Sequence, residues 1–369
     1  MIPLIDIQRQ HQSLREELEK EIRDVLERGQ FILGKASEAL EKEVATLCGT
    51  QYGIGVNSGT DALFLALTAW GVGEGDEVIT SPYTFFATIE AIVQTGARPV
   101  LVDIEPRNYQ LDPDQVEQAI TSQTQAILPV HLFGHPADMK ALSSIAQRHR
   151  LAVVEDACQA IGAQLDGQPV GSWGDIGCFS FYPTKNLGGV GDGGMITTSN
   201  PTLYEKIQRL RTHGTERKYH HSCFGYNSRL DEIQAAILRV KVKHLLKWNQ
   251  RRRVLASRYR DAFHSLPVRL PSTSTRVLPA YHLYIVQTMH SASLKKWLNA
   301  HGIGCEIYYP MPLHHQRAWQ DRFPVPDLPQ AEAAAGTTLA LPIYPELTNE
   351  EQEIVIEKVV QFFEEGNAL

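Results

Sequence analysis

The sequence predicts an α/β protein: an open, mostly parallel sheet sandwiched by helices, followed by a smaller C-terminal α+β domain. Three observations predict it. Between Tyr52 and Val154, short apolar runs alternate with helical patterns, as in successive βαβ units. Asn57, Asp103, His131 and Asp156 follow predicted strands, at the ends where open α/β sheets bind ligands. After Arg211 the rhythm stops and a long amphipathic pattern begins.

The elements follow in chain order. Leu14, Leu18, Ile22, Val25 and Leu26 share one face and predict a helix over 13–29, with a second over 37–47. Strands are expected at 52–56, 77–80, 99–103, 126–130 and 151–154, where apolar, β-branched residues cluster between turn residues. Helices are expected between them at 61–70, 87–94, 115–120 and 139–148. A long helix over 229–248 continues in pieces to 263, and a Pro- and Ser-rich stretch covers 267–279. The tail reads as strand 282–288, helix 294–301, strand 305–308, loop, and a last helix over 349–363.

A chain of 369 residues accommodates about two domains. The expected division is a large domain with the N-terminal helices over 1–243 and a small domain over 244–369. Hydrophobic residues at 43% and charged residues at 21% are those of a soluble globular protein. A net charge of −7 argues against nucleic acid or an anionic membrane as partner. There is no basic segment followed by an apolar stretch at the N-terminus and no run long enough to span a bilayer, so a cytoplasmic location is expected. Cys48, Cys158, Cys178, Cys223 and Cys305 are scattered with no CxxC, which reads as reduced thiols. Cys158 lies between Asp156 and Gln159, yet local spacing suggests no partner histidine for it.

The richest segment is Ser180-Phe-Tyr-Pro-Thr-Lys185-Asn-Leu-Gly-Gly, followed by Gly191-Asp-Gly-Gly194. A lysine among small residues is a candidate Schiff-base nucleophile, and Asp156 at a strand end can hold a protonated ring nitrogen. Together they suggest a pyridoxal phosphate (PLP) enzyme. Gly189-x-Gly191-x-x-Gly194 formally matches a dinucleotide fingerprint but lacks its strand-and-helix context. Asn57-Ser58-Gly59-Thr60-Asp61 reads equally as a helix cap or as a phosphate cradle. Phe85 follows a strand and is either a core aromatic or a stacking surface for a flat ring. Tyr308-Tyr309-Pro-Met-Pro-Leu-His314-His315 is either a surface turn or a rigid loop offering hydroxyl and imidazole groups. His213, His220 and His221 form no complete ligand set, so no metal is expected.

The order and spacing of these segments, with His213-Gly214 and Gly225-Tyr-Asn227-Ser-Arg229-Leu-Asp-Glu232, resemble the DegT/DnrJ/EryC1/StrS family of nucleotide-sugar aminotransferases over nearly the whole chain. The resemblance implies the PLP-dependent transferase fold type I (aspartate aminotransferase-like), with a seven-stranded sheet, and a homodimer with shared sites. It implies that Lys185 carries PLP covalently, Asp156 pairs with the pyridine nitrogen, and Gln159 lies near the ring hydroxyl. Phe85 would stack on the ring, and Gly59, Thr60 and Ser180 would hold the phosphate, with Asn227 reaching it from the other subunit. Tyr182, His220, Arg229, Tyr308, Tyr309 and His314 would meet the sugar. L-glutamate is the implied amino donor, in a ping-pong reaction through pyridoxamine 5'-phosphate. Members carrying histidine in place of the lysine act as dehydratases, so Lys185 favours transamination. Within the family the pattern is most similar to members that aminate C3 of a dTDP-3-keto-6-deoxyhexose, with C4 and UDP-sugar members as alternatives.

Overall fold

The computed structural model describes residues 1–272 and 274–365; Thr273, in the Pro- and Ser-rich stretch, and residues 366–369, at the end of the expected small domain, lie outside the described residues. Seven strands form the central sheet: β1 (Tyr52–Val56), β2 (Glu77–Thr80), β3 (Arg98–Leu101), β4 (Thr124–Leu128), β5 (Ala152–Asp156), β6 (Ile176–Ser180) and β7 (Gly194–Thr198). Their order is β1-β7-β6-β5-β4-β2-β3. Neighbours from β3 to β6 are parallel, whereas β7 is antiparallel to both β6 and β1. The connection explains the reversal. No crossover helix separates β6 from β7, and strands joined without a crossover pair antiparallel. That connection, 181–193, is the lysine segment. β1 to β5 lie where the sequence predicts strands, with boundaries shifted by up to two residues, whereas β6 and β7 were not expected.

Helices cover the sheet: α1 (Arg15–Arg28), α2 (Lys35–Cys48), α3 (Gly59–Trp70), α4 (Ala87–Gln94), α5 (Pro113–Ala119), α6 (Met139–His149) and α7 (Pro201–Leu210). A short helix, Ile7–Ser13, precedes α1, so the helix expected over 13–29 begins later than read and ends on Gly29 at φ 65. Helix α3 buries eight of its residues, among them Leu63, Leu65 and Leu67. It is apolar on nearly every face because it lies between β-strands and two further helices, α4 and α7. Each such leucine contributes about 1.5–3 kcal/mol of burial.

Helix α8 (Glu232–Phe263) is one unbroken element of 32 residues, not a helix continued in pieces. It contains no proline or glycine to break it. Its first half packs on α1 and α2, and Leu255 to Phe263 join the C-terminal core. The division expected at 243/244 falls inside this helix. Beyond it lie β8 (Tyr284–Gln287), α9 (Ser291–Ala300), β9 (Glu306–Ile307), β10 (Thr338–Leu341) and α10 (Asn349–Glu364). β10 is the middle strand, antiparallel to both β8 and β9. It lies where the sequence predicts loop: Leu339-Ala340-Leu341 lacks the β-branched residues that mark the equally short β2, Val78 and Ile79. Among the described residues no helix is long and apolar enough to cross a membrane.

Strand β5 is buried at all five positions, as expected of a parallel strand covered on both faces. Side chains alternate along it, so Glu155 and Asp156 leave on opposite faces. Glu155 is completely buried and accepts from four donors: His131 Nε2 at 2.9 Å and the backbone amides of Gly171 at 2.7 Å, Trp173 at 2.8 Å and Gly174 at 2.8 Å. The Ala137 amide donates to His131 Nδ1 at 3.0 Å, so the ring's hydrogen sits on Nε2 and points at Glu155. Replacing Glu155 by Gln puts an NH2 against amide donors. Urea denaturation of Glu155→Gln is expected to show a loss of about 1–3 kcal/mol, the cost of unpaired buried donors.

Candidate active site

A cavity of about 500 Å³ opens beyond the C-terminal ends of the strands. Lys185, Asp156, Gly59, Thr60, Phe85, Gln159, Ser180, Tyr182, Tyr308 and Tyr309 all line it. These come from segments that are far apart in sequence, and the sheet brings them together because parallel strands end on one edge. Of the polar residues noted after the strands, only Asp156 lines it. His131 serves Glu155, Asn57 is exposed, and Asp103 accepts from the Gln330 and Ala331 amides at 2.8 Å each.

Asp156 is 5% exposed. Its Oδ2 accepts from Thr88 Oγ1 at 2.9 Å and its Oδ1 from the Cys158 amide at 3.2 Å. Two carboxylate oxygens offer about four acceptor sites, so capacity remains for a cationic N–H. Lys185 follows a tight turn in which its own amide donates to the Tyr182 carbonyl at 2.8 Å. The turn is held from both ends: the Phe181 amide donates to Gly193 O and the Gly189 amide to Phe181 O, each at 2.8 Å. Burial lowers the Lys185 pKa, opposed by the nearby Cys158 and Asp156. Cys158 lines the same cavity, and burial, with Asp156 beside it, raises its thiol pKa well above the ordinary range. A thiol held protonated is a poor nucleophile, which counts against a catalytic role for it.

Helix α3 opens onto the cavity. Ser58 caps it by accepting from the Asp61 amide at 3.0 Å, and Ser228 Oγ donates to the Asp61 carboxylate at 2.6 Å. The first-turn amides of Gly59 and Thr60 lie at the positive end of the helix dipole. A Cβ on Gly59 would meet Ser180 Cβ at 2.7 Å and Cys158 Sγ at 3.0 Å. Both readings of this segment therefore coexist, a capped helix and an anion-ready N-terminus.

Gln159 is tied down rather than free: its Oε1 accepts from the Phe133 amide at 2.7 Å and its Nε2 donates to Tyr309 Oη at 3.2 Å. Tyr309 stacks near Phe133, with centroids 6.4 Å apart, and its amide donates to Tyr83 Oη at 2.9 Å. Burial pushes the Tyr83 hydroxyl up to about 12. Phe85 is 59% exposed and presents its ring at the cavity, so it is not a core aromatic.

Four expected residues lie elsewhere. His314 is buried and turned away, with Nε2 bonded to Glu332 at 3.0 Å, so it offers no imidazole to the cavity. Glu332 belongs to the helix held by Asp103, so this pair fixes the loop behind Tyr308 and Tyr309. His314, His315 and Glu332 bring three donor atoms within 4.8 Å, whereas His213, His220 and His221 form no such group among the described residues. Asn227 and His220 are exposed and Arg229 half-buried, and none lines this chain's cavity. Sequence reasoning missed Thr88, Asn186 and His282. Asn186 follows the lysine directly, and only the fold shows that its amide reaches Asn249 at 2.8 Å and Ala280 O at 2.9 Å.

Two stability tests follow. Gly59→Ala is expected to cost about 1–3 kcal/mol from overpacking, and adding Ser180→Gly should recover most of it in thermal denaturation of the cofactor-free protein. A lysine with a lowered pKa penalises the folded chain while both states hold the proton. The penalty fades as pH rises through the folded pKa and is gone above the ordinary value of 10.5. Lys185→Met should therefore raise the Tm of the cofactor-free protein at neutral pH, and the gain should shrink as pH nears 10.5.

Residues 12–360 match the DegT/DnrJ/EryC1/StrS aminotransferase family. A relative from Acidithiobacillus ferrooxidans, the UDP-N-acetyl-3-dehydro-α-D-glucosamine 3-aminotransferase, is 46% identical over 350 residues, 95% of each chain. The dTDP-3-amino-3,4,6-trideoxy-α-D-glucose transaminase of Streptomyces venezuelae is 44% identical over 98% of this chain and 96% of its own. The crystal structure of S. venezuelae DesV in complex with a ketimine intermediate superposes with a TM-score of 0.96 at 44% identity, covering 98% of both chains. The chain has the fold of the type I PLP-dependent transferases and belongs to the DegT/DnrJ/EryC1/StrS family of aminotransferases.

Proposed function

We propose that the protein transfers an amino group from L-glutamate to C3 of a nucleotide-linked keto sugar, a dTDP-3-keto-6-deoxyhexose, using PLP. One observation carries the reading: a single cavity joins a partly buried amine, a buried carboxylate and an open helix N-terminus. PLP has an aldehyde, a ring nitrogen and a phosphate, and these three features answer them one for one. When bound, PLP supplies an electron sink and carries the amino group between the two substrates.

The chain's own residues do the rest. Asp156 holds a proton at the ring nitrogen. Gly59, Thr60 and Ser180 receive the phosphate, and Phe85 covers the ring. Gln159 lies at the ring hydroxyl, held there by Phe133 and Tyr309. The Lys185 amine, its pKa lowered by burial, takes the proton from the donor's Cα and would deliver it to C4′ of the bound cofactor; in the second half-reaction it would carry one from C4′ to C3 of the sugar. Tyr182, Tyr308 and Tyr309, which line the cavity, would meet the sugar. A second copy of the chain completes the site with Asn227, Arg229 and His220. The exposed Tyr219 and Phe224 beside them, 84% and 100% exposed, support such a contact.

A UDP-linked keto sugar is the second reading, supported by the A. ferrooxidans relative. The C3 position is common to the names of both curated relatives. An amination screen of dTDP- and UDP-keto sugars, with product position read by NMR, tests both. L-glutamate should bleach the absorbance of the lysine-bound cofactor, and double-reciprocal plots should be parallel. Deoxygenation without nitrogen gain would overturn the reading. Lys185→Ala should lose at least about 10²–10⁴-fold in rate, the worth of positioned proton transfer.

A further inference from the structure

A buried polar file runs from helix α8 to the cavity and fixes the chemistry of a residue with no role so far, His282. Asn249 Nδ2 donates to the Ile161 carbonyl at 2.9 Å, and its Oδ1 accepts from Asn186 Nδ2 at 2.8 Å. Asn186 Nδ2 also donates to the Ala280 carbonyl at 2.9 Å. Carbonyl oxygens only accept, so the orientation of both amides is settled by chemistry. Asn186 Oδ1 must therefore be an acceptor, and His282 Nδ1 lies 3.3 Å from it. That contact places the ring's hydrogen on Nδ1 and leaves the lone pair on Nε2.

Among the described residues Nε2 has no hydrogen-bond partner, and His282 lines the cavity that holds Lys185. The ring is kept neutral by its surroundings. Burial, with the cations Lys185 and Arg252 as the charged groups acting on it, pushes its pKa well below the ordinary value. Arg252 also fixes the backbone there, donating to the carbonyls of Tyr281 at 3.2 Å, His282 at 3.4 Å and Ile343 at 2.6 Å. The result is a rigid, neutral acceptor at the wall of a site whose working group is an amine.

We propose that His282 is a positioning residue for Lys185: its Nε2 accepts a hydrogen from the Lys185 amine whenever that amine is free, and aims it between proton transfers. The proposal rests on the reading of Lys185 as the proton carrier. In the reaction no proton moves to His282, because its only task is to hold the amine.

The first test uses histidine ¹⁵N NMR on the holoenzyme in its pyridoxamine phosphate form, in which the lysine amine is free. The His282 signals, assigned by their loss in His282→Gln, should show hydrogen on Nδ1 and a hydrogen-bonded Nε2. Lys185→Met should move the Nε2 resonance to its unbonded value and leave Nδ1 in place. An Nε2 resonance indifferent to Lys185→Met overturns the proposal, even if His282 variants fold poorly. The second test is kinetic. His282→Phe should slow the half-reaction with L-glutamate about ten-fold at unchanged KM, the effect of one lost hydrogen bond in the transition state. It should also enlarge the isotope effect with Cα-deuterated glutamate, and His282→Gln should recover part of the rate. A raised KM for the keto sugar with an unaffected glutamate half-reaction would make His282 a sugar contact and overturn the proposal. A wild-type enzyme inert to glutamate would sink the donor assignment, while the NMR arm would still judge the contact.

Discussion

Two consecutive carboxylates at the end of β5 are the constraint on which the site depends. Strand alternation sends Glu155 into the scaffold and Asp156 into the cavity. A buried carboxylate is tolerable only when its oxygens are satisfied, and Glu155 achieves this with an imidazole and three backbone amides from the 171–174 turn. Those bonds hold the strand's end in register, which in turn fixes where Asp156 stands. One residue of slip would exchange the two and place the wrong carboxylate at the cavity.

The walls around Asp156 are held by similar polar ties rather than by apolar packing alone. The lysine turn is anchored through Asn186 to α8, and Lys241, buried on the same helix, donates to the Gly188 carbonyl at 2.7 Å. Burial lowers the Lys241 amine to about 8, a cost accepted where its hydrogen bonds fasten the segment behind the lysine. On the other side, Asp103 holds the helix bearing Glu332, Glu332 holds His314, and the Leu313 amide donates to Pro82 O at 2.8 Å. Tyr308 and Tyr309 are thus presented by a loop tied to Pro82 and, through Glu332, to Asp103. Residues expected at the ligand, such as His314, turn out to hold those that face it.

Much of the site was legible because its chemistry is local. The lysine among small residues, the aspartate at a strand end and the Gly59-Thr60 turn each carry their signal within a few positions, and the relatives' names agree with the aminotransferase class that the family resemblance implied. Strands β6 and β7 were not legible, because Gly177 interrupts the apolar run of the first and Gly194 makes the start of the second read as part of the glycine-rich loop. The small sheet's middle strand carries Leu-Ala-Leu in place of the β-branched residues that mark the equally short β2. Asn186 and His282 are 96 positions apart, and no pattern along the chain relates them.

Residue type and short spacing alone disclosed the alternating α/β class and marked Lys185, Asp156 and the Gly59-Thr60 helix start, which the fold brings to one cavity. These depend on residue type and short spacing, which a linear chain displays directly. Which polar residues face the cavity and which fasten it, why β7 runs antiparallel, and which nitrogen of His282 bears the hydrogen emerge only from the packed chain. Each of these is set by partners that meet only when distant strands and helices pack, and by the requirement that every buried polar group in that packing find one.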